Sequence, residues 1–596
     1  MTPTIRESTS RAGAQPAIAV STRPRPIPGL AGRVGRYVVA HPLRAVTVGA
    51  VLLGVLVRLA FILSSDFPLN DGALFLEMTR AIRAAQYHLP ASVAYNGTAI
   101  PFGYSPLGFY LVAVLHDLLG LDMIQALRVV PFVATSACLV AFAAFARDLL
   151  PRVTAGVTRP EPALAGAVLA FALLPRSYVW LLMGGGLTRS LGLLFAILAI
   201  HQAFLLYTRG RWAHAALMGV FAALTALSHL GTAPFAAFSI ALMFVAYART
   251  RVAVLGSVVA LAIAVLVTAP WVASVVGHHG WAPFAAARAT GGNVFDGGDT
   301  RWNIQIRLAV FGLTDLGEPL FPLITVLGFF GAIASARARQ LLLPAWWGLI
   351  LLLDVRAPGT YASVPVGLLA GIAIAAVLWP LLFPGPSGDR AVAGGMTRPV
   401  GRLAPWLVAG ALFAYALGGA VTRSESVEGE EKLLRGLPRD ERAAMAWVAR
   451  TTPPDARFVV LTGPGHTGVW GDRVSEWFPV LTHRVSVATL QGREWINDGT
   501  FTARASAYGR LQSCASQAGG CLDDWARTAG MPYTHVFVSK EKSFTATTPL
   551  LNALRNDSAF TVLYDGSGGL VAVRKRAVSP EPSVVAQPAR TARTGT

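Results

Sequence analysis

The sequence is short of charged residues and of cysteine. Only 14% of its 596 residues are charged and 54% are hydrophobic, whereas soluble globular proteins carry about 25% charged residues. This shortage predicts that lipid surrounds much of the chain, and it excludes an intrinsically disordered protein. Three cysteines are too few for a disulfide-rich secreted scaffold. No cleavable signal peptide is expected, because the Arg- and Pro-rich start precedes an apolar span rather than a small-residue cleavage site.

Long apolar runs are abundant, and runs of about 20 residues are typical of membrane-spanning helices. We predict eleven spans, at 43–63, 126–146, 161–182, 188–207, 212–231, 233–248, 252–276, 316–336, 341–353, 361–383 and 403–421. The apolar stretch 106–121 is predicted instead to be a helix that lies at the membrane surface. The fold class is therefore an α-helical multi-pass membrane protein.

The arginines indicate how these spans are oriented. Short loops rich in Lys and Arg face the cytoplasm, and the basic residues collect in alternate segments, among them 1–42, 147–160 and 384–402. This pattern predicts a cytoplasmic N-terminus and an extracytoplasmic C-terminal domain, and a twelfth span at 106–121 would invert it. The formal net charge of +19 is then a consequence of topology, so no nucleic-acid partner is expected.

Changes in composition divide the chain into four parts. They are a disordered cytoplasmic tail at 1–42, a transmembrane domain at 43–421 with a long first outer loop at 64–125, an extracytoplasmic α/β domain at 422–577, and a disordered tail at 578–596. The membrane itself is thus one partner of the protein.

The outer domain has its own local patterns. Apolar residues at helical spacing predict a helix, and β-branched runs predict strands. The helix is expected at 440–450 and the strands at 457–463, 483–490 and 535–540, with a hairpin at 560–576 that turns at Asp565-Gly566. Cys514 and Cys521 fall in this domain, where an oxidising compartment permits a disulfide between them. A zinc pair is less favoured, because no second pair of ligands follows at suitable spacing.

Several segments, taken in their order along the chain, carry a family resemblance. They are SSDFPLNDGALFLEM, IPFGYSPLGFYLVAVLHDLLG, LAGAVLAFALLPRSYVWLLMGGGLTRSLGLLFAIL, TDLGEPL, RAPGTYASVPVGLLAG and MAWVARTTPPDARFVV. Together they resemble the GT-C superfamily of membrane glycosyltransferases, which includes protein mannosyltransferases, aminoarabinose transferases and the catalytic subunits of oligosaccharyltransferases. The resemblance covers residues 43–495.

The resemblance implies both an activity and its substrates. The enzyme would transfer a sugar from a polyprenyl-phosphate or polyprenyl-diphosphate carrier to an extracytoplasmic glycan, lipid or protein.

Two segments depart from the oligosaccharyltransferase pattern. The second outer loop reads LLMGGGLTR without acidic metal ligands, and GVWGDRVSEW stands in place of a Trp-Trp-Asp-Tyr-Gly signature. These departures argue against transfer to a sequon asparagine and against an obligatory metal.

The chemistry of this reaction requires two kinds of side chain. A carboxylate must take the proton of the acceptor hydroxyl, and arginines must meet the charge that develops on the leaving phosphate. Asp71 is the predicted general base, since it lies just beyond the first span where a helix begins at 72–85. Its alternative role is an ordinary helix N-cap. Arg356 is the predicted phosphate ligand, and its alternative is a salt bridge with Asp354.

Further residues are candidates for substrate binding. Arg189 and Arg176 flank the second outer loop and are second choices for the phosphate, although snorkelling at the interface explains them nearly as well. Glu318 could hold a cation or orient the acceptor, or it could be a solvated residue at the start of a span. His229 could line the cavity or simply be hydrogen-bonded. No cofactor is firmly predicted; a divalent cation, Mg²⁺ or Mn²⁺, would use Asp71 and Glu318.

Two other functions remain open from the sequence. One is a transporter or lipid-glycan flippase, although transporters usually have paired halves with interrupted spans, and this chain has no internal repeat. The other is a non-catalytic GT-C-like protein of envelope assembly, which the missing acids of the second outer loop would suit.

Overall fold

The computed structural model describes residues 40–291, 316–318, 321–353, 358–383, 399–422, 434–463, 472–517, 520–541 and 547–575. The predicted tail at 578–596 lies outside these residues, as do Arg356 and almost all of the predicted tail at 1–42. A helical membrane part is followed by a C-terminal part built on a β-sheet. This is the predicted fold class of a multi-pass helical membrane protein with a C-terminal α/β domain.

Helices make up nearly all of the membrane part. In chain order they are α1 (Pro42–Leu63), α2 (Ala73–Ala84), α3 (Leu107–Leu119), α4 (Met123–Val153), α5 (Pro160–Leu173), α6 (Val179–Leu182), α7 (Gly186–Arg209), α8 (Trp212–Ser228), α9 (Ala233–Tyr247), α10 (Arg251–His279), α11 (Ala282–Gly291), α12 (Leu323–Arg337), α13 (Leu342–Leu352), α14 (Pro358–Ala373), α15 (Trp379–Leu382) and α16 (Pro399–Thr422). A short hairpin of β1 (Ser92–Tyr95) and β2 (Thr98–Pro101) lies in the first outer loop.

The predicted count of eleven spans is not confirmed. Among the described residues, seven helical segments are long and apolar enough to cross a membrane, and α5 with the residues after it forms an eighth that bends by 80°. The predicted spans 212–231, 316–336 and 341–353 coincide with α8, α12 and α13, which have only 17, 15 and 11 residues. A span of the bilayer core needs about 20 helical residues, so these three helices are short for the task.

Helix α3 corresponds to the stretch 106–121 that was predicted to lie at the membrane surface. It has 13 residues, too few for a span. One face, with Phe109 and Val112, is buried against the protein, whereas Leu118 and Leu119 are exposed. A short helix with one buried face and exposed leucines is suited to the membrane interface.

The bend after α5 is held by a buried arginine of the first span. Arg58 donates from Nη1 to the carbonyl oxygen of Gly54 at 2.9 Å and from Nη2 to the hydroxyl of Ser177 at 3.0 Å. Its guanidinium also lies 4.7 Å from the ring centroid of Tyr178. Because a charge inside a membrane helix is costly without such partners, these contacts fix α1 to the bend.

The C-terminal part is a mixed sheet with helices around it. Its elements are α17 (Arg439–Thr451), β3 (Arg457–Leu461), α18 (Arg473–Thr482), β4 (Val485–Ser486), α19 (Phe501–Ser513), α20 (Gly520–Ala529), β5 (His535–Ser539), α21 (Thr548–Asn556), β6 (Phe560–Asp565) and β7 (Gly569–Arg574). The strand order is β4-β3-β5-β7-β6, with β3 parallel to β4 and β5, and β7 antiparallel to β5 and β6. Cys514 and Cys521 form a disulfide beside this sheet, the predicted pairing.

One predicted strand is much shorter than expected. Of 483–490, only Val485 and Ser486 pair with the sheet. The side chain of Asn96, at the turn of the β1–β2 hairpin, accepts from the N–H of Ser486 and donates to its carbonyl oxygen, both at 2.8 Å. The first outer loop therefore closes this edge of the sheet, an interaction that local sequence patterns do not reveal.

The sheet part and the first outer loop share a hydrophobic core. Phe67 and Met78 of the loop are buried in one cluster with Trp477, Phe478 and Phe537 of the C-terminal part. The rings of Phe67 and Trp477 meet edge to face at 4.6 Å between centroids. This packing brings α18 directly over the turn that precedes α2.

Candidate active site

Asp71 lies in a tight turn between α1 and α2. The residues on either side have backbone conformations of the left-handed half of the map, with φ of 56° at Asn70 and 126° at Gly72. The Asp71 side chain does not cap α2. Its Oδ1 accepts the backbone N–H of Gly185 at 2.6 Å, and its Oδ2 lies 3.4 Å from Nη2 of Arg189. The carboxylate therefore points toward the second outer loop.

Two of the three glycines of the second outer loop, Gly184 and Gly185, make this approach possible. A Cβ at Gly185 would lie 2.3 Å from Oδ2 of Asp71, and a Cβ at Gly184 would lie 2.0 Å from the Asp71 carbonyl oxygen. Any larger residue would push the carboxylate away. The segment that lacks the acidic ligands of oligosaccharyltransferases is thus a close-fitting support for Asp71.

Asp71 faces a cavity of about 440 Å³ at the junction of the membrane helices and the C-terminal part. Its lining includes Asp71, Phe75, Tyr104, Arg176, Trp180, Thr188, Arg189, His229, Thr232, Tyr361, Glu476, Gln491 and Glu494. Its size falls in the range of small-molecule sites. Cations from the membrane helices, carboxyl groups from the C-terminal part and aromatic rings therefore meet in one space.

Two predicted arginines flank one indole on the membrane side of the cavity. The guanidinium carbons of Arg176 and Arg189 lie 5.5 and 5.8 Å from the ring centroid of Trp180. A planar ring at this distance attracts a guanidinium through its electron-rich face. The indole thus holds two positive charges beside the Asp71 carboxylate, an arrangement that suits a phosphate oxyanion.

The C-terminal part contributes two carboxyl groups to the lining. Glu476 Oε1 accepts the backbone N–H of Gly72 at 3.1 Å, and the hydroxyl of Tyr104 donates to Glu494 Oε1 at 2.6 Å. Burial, followed by the nearby charge of Asp71, raises the pKa of Glu476 to about 8. Burial also raises the pKa of Asp71, against the opposing effects of Arg189 and the Gly185 N–H. Glu476 is therefore mostly protonated at neutral pH.

His229 also lines the cavity, within a chain of hydroxyl groups. Its Nδ1 lies 2.8 Å from Oγ1 of Thr232, which lies 2.9 Å from the hydroxyl of Tyr361. This network joins the end of α8 to the start of α14. It fixes the part of the cavity wall that His229, Thr232 and Tyr361 form.

The two remaining predicted site residues are Arg356 and Glu318. Arg356 and its neighbour Asp354 lie outside the described residues. Glu318 is absent from the described lining of the cavity. Its Oε1 accepts the N–H of Ile324 at 2.7 Å, and its Oε2 accepts the N–H and the hydroxyl of Thr325 at 2.9 Å. Glu318 therefore caps the first turn of α12.

The described residues do not fit a divalent cation. Both oxygens of Glu318 are engaged at α12, and Asp71 is engaged by Gly185 and Arg189. Within the described parts of the chain, no group of three or more His, Cys, Asp or Glu side chains could hold a metal ion. Mg²⁺ and Mn²⁺ prefer several oxygen ligands, which these side chains do not offer together.

The residues that the C-terminal part supplies were not predicted from the sequence; they are Glu476, Gln491 and Glu494. Local patterns give one signal for them: Glu476 comes directly before the apolar residues Trp477 and Phe478 of α18, and the structure shows it buried. A buried acid needs a partner. Its partner, the N–H of Gly72, is 404 residues away in the sequence.

Among comparisons with known proteins, only solved structures match this chain, and they match in fold. No protein-family model and no curated protein sequence matches the chain. The archaeal oligosaccharyltransferase AglB from Archaeoglobus fulgidus, in complex with an inhibitory peptide and a dolichol-phosphate, is similar over 91% of this chain and 75% of its own, with a TM-score of 0.56 and 13% identity.

Two further structures of the Archaeoglobus fulgidus oligosaccharyltransferase are also similar. The one tethered with an acceptor peptide has a TM-score of 0.54 and 14% identity over 91% of this chain and 75% of its own. The one in complex with Zn and sulfate has a TM-score of 0.53 and 14% identity over 89% and 73%. At these identities the likeness is one of fold, and the chain has the GT-C fold that the sequence resemblance predicted.

Proposed function

We propose that this protein is an integral membrane glycosyltransferase that moves a sugar from a polyprenyl-phosphate or polyprenyl-diphosphate carrier to an extracytoplasmic hydroxyl group. The observation that carries the proposal is that Asp71 and Arg189 face the same cavity, 3.4 Å apart, between the membrane helices and the C-terminal part. Glycosyl transfer from a lipid phosphate needs a base and a cation at one place.

Asp71 acts as the general base in this proposal. The acceptor oxygen bonds to the anomeric carbon, its proton passes to the Asp71 carboxylate, and the bond from that carbon to the phosphate oxygen breaks. The phosphate leaves with the bonding electron pair. Burial raises the pKa of Asp71, which makes the ionised carboxylate a stronger base than an exposed aspartate.

Arg189 and Arg176 bind the leaving phosphate. Their guanidinium groups, held against Trp180, donate to the oxygens on which negative charge develops, and such donors lower the barrier most when they are already in place. We propose Arg356 as an additional phosphate ligand, because the sequence places it at the start of a late span.

The donor class is supported by a protein of the same fold. A structure of the archaeal oligosaccharyltransferase contains a dolichol-phosphate, so a polyprenyl phosphate is the carrier that we assign. The acceptor is a glycan, a lipid or a protein. The cavity lining of Glu476, Gln491 and Glu494 supplies groups that hydrogen-bond hydroxyls, whichever of these classes bears them.

We propose that the N-terminus is cytoplasmic and that the C-terminal part and the cavity are extracytoplasmic. The arginine-rich segments support this orientation through the positive-inside rule. The disulfide between Cys514 and Cys521 supports it as well, because disulfides persist in oxidising compartments outside the cytoplasm.

The test compares wild type with Asp71→Asn. Membranes that contain either protein are incubated with synthetic polyprenyl-phosphate-linked pentoses and hexoses, and released polyprenyl phosphate and glycosylated envelope components are measured by mass spectrometry. We expect Asp71→Asn to lower the rate by about 100-fold or more, the usual contribution of a general base.

Glu77→Gln is the matched control, because Glu77 lies on α2 outside the lining of the cavity and pairs with Arg80 at 2.6 Å. It should transfer sugar at the wild-type rate. Wild-type rates in Asp71→Asn would overturn the role of Asp71. Movement of a lipid-linked glycan across the membrane without cleavage of its phosphate bond would identify a flippase instead.

A further inference from the structure

Two adjacent residues of α18 hold the chain on both sides of Asp71. The indole N–H of Trp477 donates to the carbonyl oxygen of Asn70 at 3.1 Å. On the other side, Glu476 Oε1 accepts the N–H of Gly72 at 3.1 Å and the N–H of Leu74 at 3.5 Å. Asp71 stands between these attachments.

The turn needs this external support. Its left-handed φ values at Asn70 and Gly72 are uncommon for the first residue and favour glycine at the second. The first N–H groups of any α-helix lack partners within the helix, and no side chain of the turn itself caps α2. Glu476 therefore does for α2 what an N-cap residue usually does, from a distant part of the chain.

Helix α18 is itself fixed relative to the first outer loop. The hydroxyl of Tyr95 in β1 donates to the carbonyl oxygen of Glu476 at 2.8 Å. The Trp477 ring is fully buried and meets Phe67 edge to face. The two attachments to the turn thus come from a rigid element rather than from a loop.

We propose, on the basis of the transferase function above, that Glu476 and Trp477 are positioning residues for Asp71, so that the C-terminal part is a component of the active site. Neither residue needs to touch the reacting atoms in this role. Glu476 fixes the backbone that carries the base, and Trp477 fixes the opposite end of the same turn. A displacement of about 1 Å can cost about 100-fold in rate.

The first measurement requires no substrate. Hydrogen exchange of the full-length protein in detergent is followed for the peptide that contains Gly72 and Leu74. Glu476→Ala should raise exchange in this peptide at least tenfold, because both N–H groups lose their acceptor. Glu476→Gln retains an acceptor oxygen and should keep exchange near the wild-type rate.

The second measurement is steady-state kinetics with the polyprenyl-phosphate sugar that wild type consumes. We expect Glu476→Ala to lower kcat by about 100-fold with KM for the donor nearly unchanged, because the phosphate ligands stay in place. Glu476→Gln should recover most of this loss. Trp477→Phe, which keeps the ring but removes the N–H donor, should lower kcat by a smaller factor.

Glu441→Gln is the matched control. Glu441 is buried in the same part of the chain and bonds to Ser539, and it does not line the cavity. This variant should show wild-type exchange at Gly72 and Leu74 and wild-type kcat. A loss equal to that of Glu476→Ala would show that a change at any buried glutamate disturbs this part of the chain, and it would overturn the positioning role.

The outcomes separate this proposal from the proposed function. Activity in Asp71→Asn would refute the general base whatever Glu476 does. Inactive Asp71→Asn together with wild-type kcat in Glu476→Ala and Trp477→Phe would refute the positioning role alone. If Glu476→Ala does not fold, Trp477→Phe decides: a lower kcat at constant KM supports the proposal, and a wild-type kcat overturns it.

Discussion

Gly185 lies against Asp71 so closely that no side chain fits between them. Its N–H donates to Oδ1 of Asp71 at 2.6 Å, and a Cβ built on Gly185 would lie 2.3 Å from Oδ2. The backbone of Gly185 has φ of −68° and ψ of −8°, a conformation open to any residue. Space around the carboxylate, and not backbone conformation, therefore requires glycine here.

Gly185→Ala tests whether the space around the Asp71 carboxylate requires glycine at this position. We expect a loss of at least about 100-fold in kcat, because the carboxylate must move, and a loss of about 1–3 kcal/mol in the free energy of unfolding from overpacking. Transfer rates and thermal unfolding in detergent measure the two effects. Gly49→Ala is the control, since a Cβ there meets no atom within 4 Å. An active Gly185→Ala would show that Asp71 tolerates displacement.

Replacement of Arg189 by lysine should weaken the binding of the leaving phosphate. A guanidinium donates two parallel hydrogen bonds to a phosphate and stacks on Trp180, whereas an ammonium does neither. We expect Arg189→Lys to lower kcat/KM by about tenfold, and Arg189→Ala to lower it by about 100-fold. Initial rates at varied donor concentration measure this. Arg80→Lys, at an exposed site paired with Glu77, should leave the rate unchanged.

The pH dependence should report the carboxyl group of Asp71 and that of Glu476, which holds the Asp71 turn. Asp71 must be ionised to act as a base, and its pKa is raised above 3.8 by burial, so activity should fall as the pH drops through that raised value. Glu476 should stay protonated until its pKa of about 8. Above it, a second negative charge beside Asp71 opposes departure of the phosphate, so the rate should fall again.

Glu476→Gln should remove the alkaline limb and keep the acid limb. The charged and titratable groups around Glu476 are Asp71, Arg189, Tyr95 and Glu494. Burial raises the pKa of Tyr95 well above 10, so its phenol does not titrate in this range. An alkaline limb that persists in Glu476→Gln would assign it to another group. Rates of wild type and variant from pH 4 to 10 are compared.

Chelation of divalent cations should leave the transfer rate within about twofold of its starting value. The allowance of about twofold covers the change in ionic strength, which alters interactions between exposed charges. The physical reason is that Asp71 and Glu318 have their oxygens engaged by protein donors. The measurement is the initial rate with and without EDTA. A loss with EDTA that Mn²⁺ or Mg²⁺ reverses would contradict the prediction and require ligands outside the described residues.

Much of the fold could be predicted from the sequence, because membrane helices and strands leave local patterns. Helix α2 begins at Ala73, one residue from its predicted start, and α17 and β5 lie within their predicted bounds to one residue. The predicted count of eleven spans is not confirmed, because hydropathy does not separate a full span from a short apolar helix such as α13.

Four residues that line the cavity were candidates from the sequence, namely Asp71, Arg176, Arg189 and His229, and their roles stay predictions. Asp71 and Arg189 lie in segments next to spans, where a charged residue is conspicuous. Glu476 and Gly185 are not conspicuous, because their roles depend on contacts between distant segments. The run of glycines at 184–186 indicates close packing of some kind, but the sequence does not say what approaches it.

The attachments that Glu476 and Trp477 make to the Asp71 turn form late in synthesis, and this affects how the protein is assembled. Gly72 emerges from the ribosome about 400 residues before Glu476, and every described membrane helix precedes α18. A nascent chain can therefore complete its insertion while the turn still lacks its support. Under the proposed function, the chain would therefore gain transferase activity only after α18 has folded against the first outer loop.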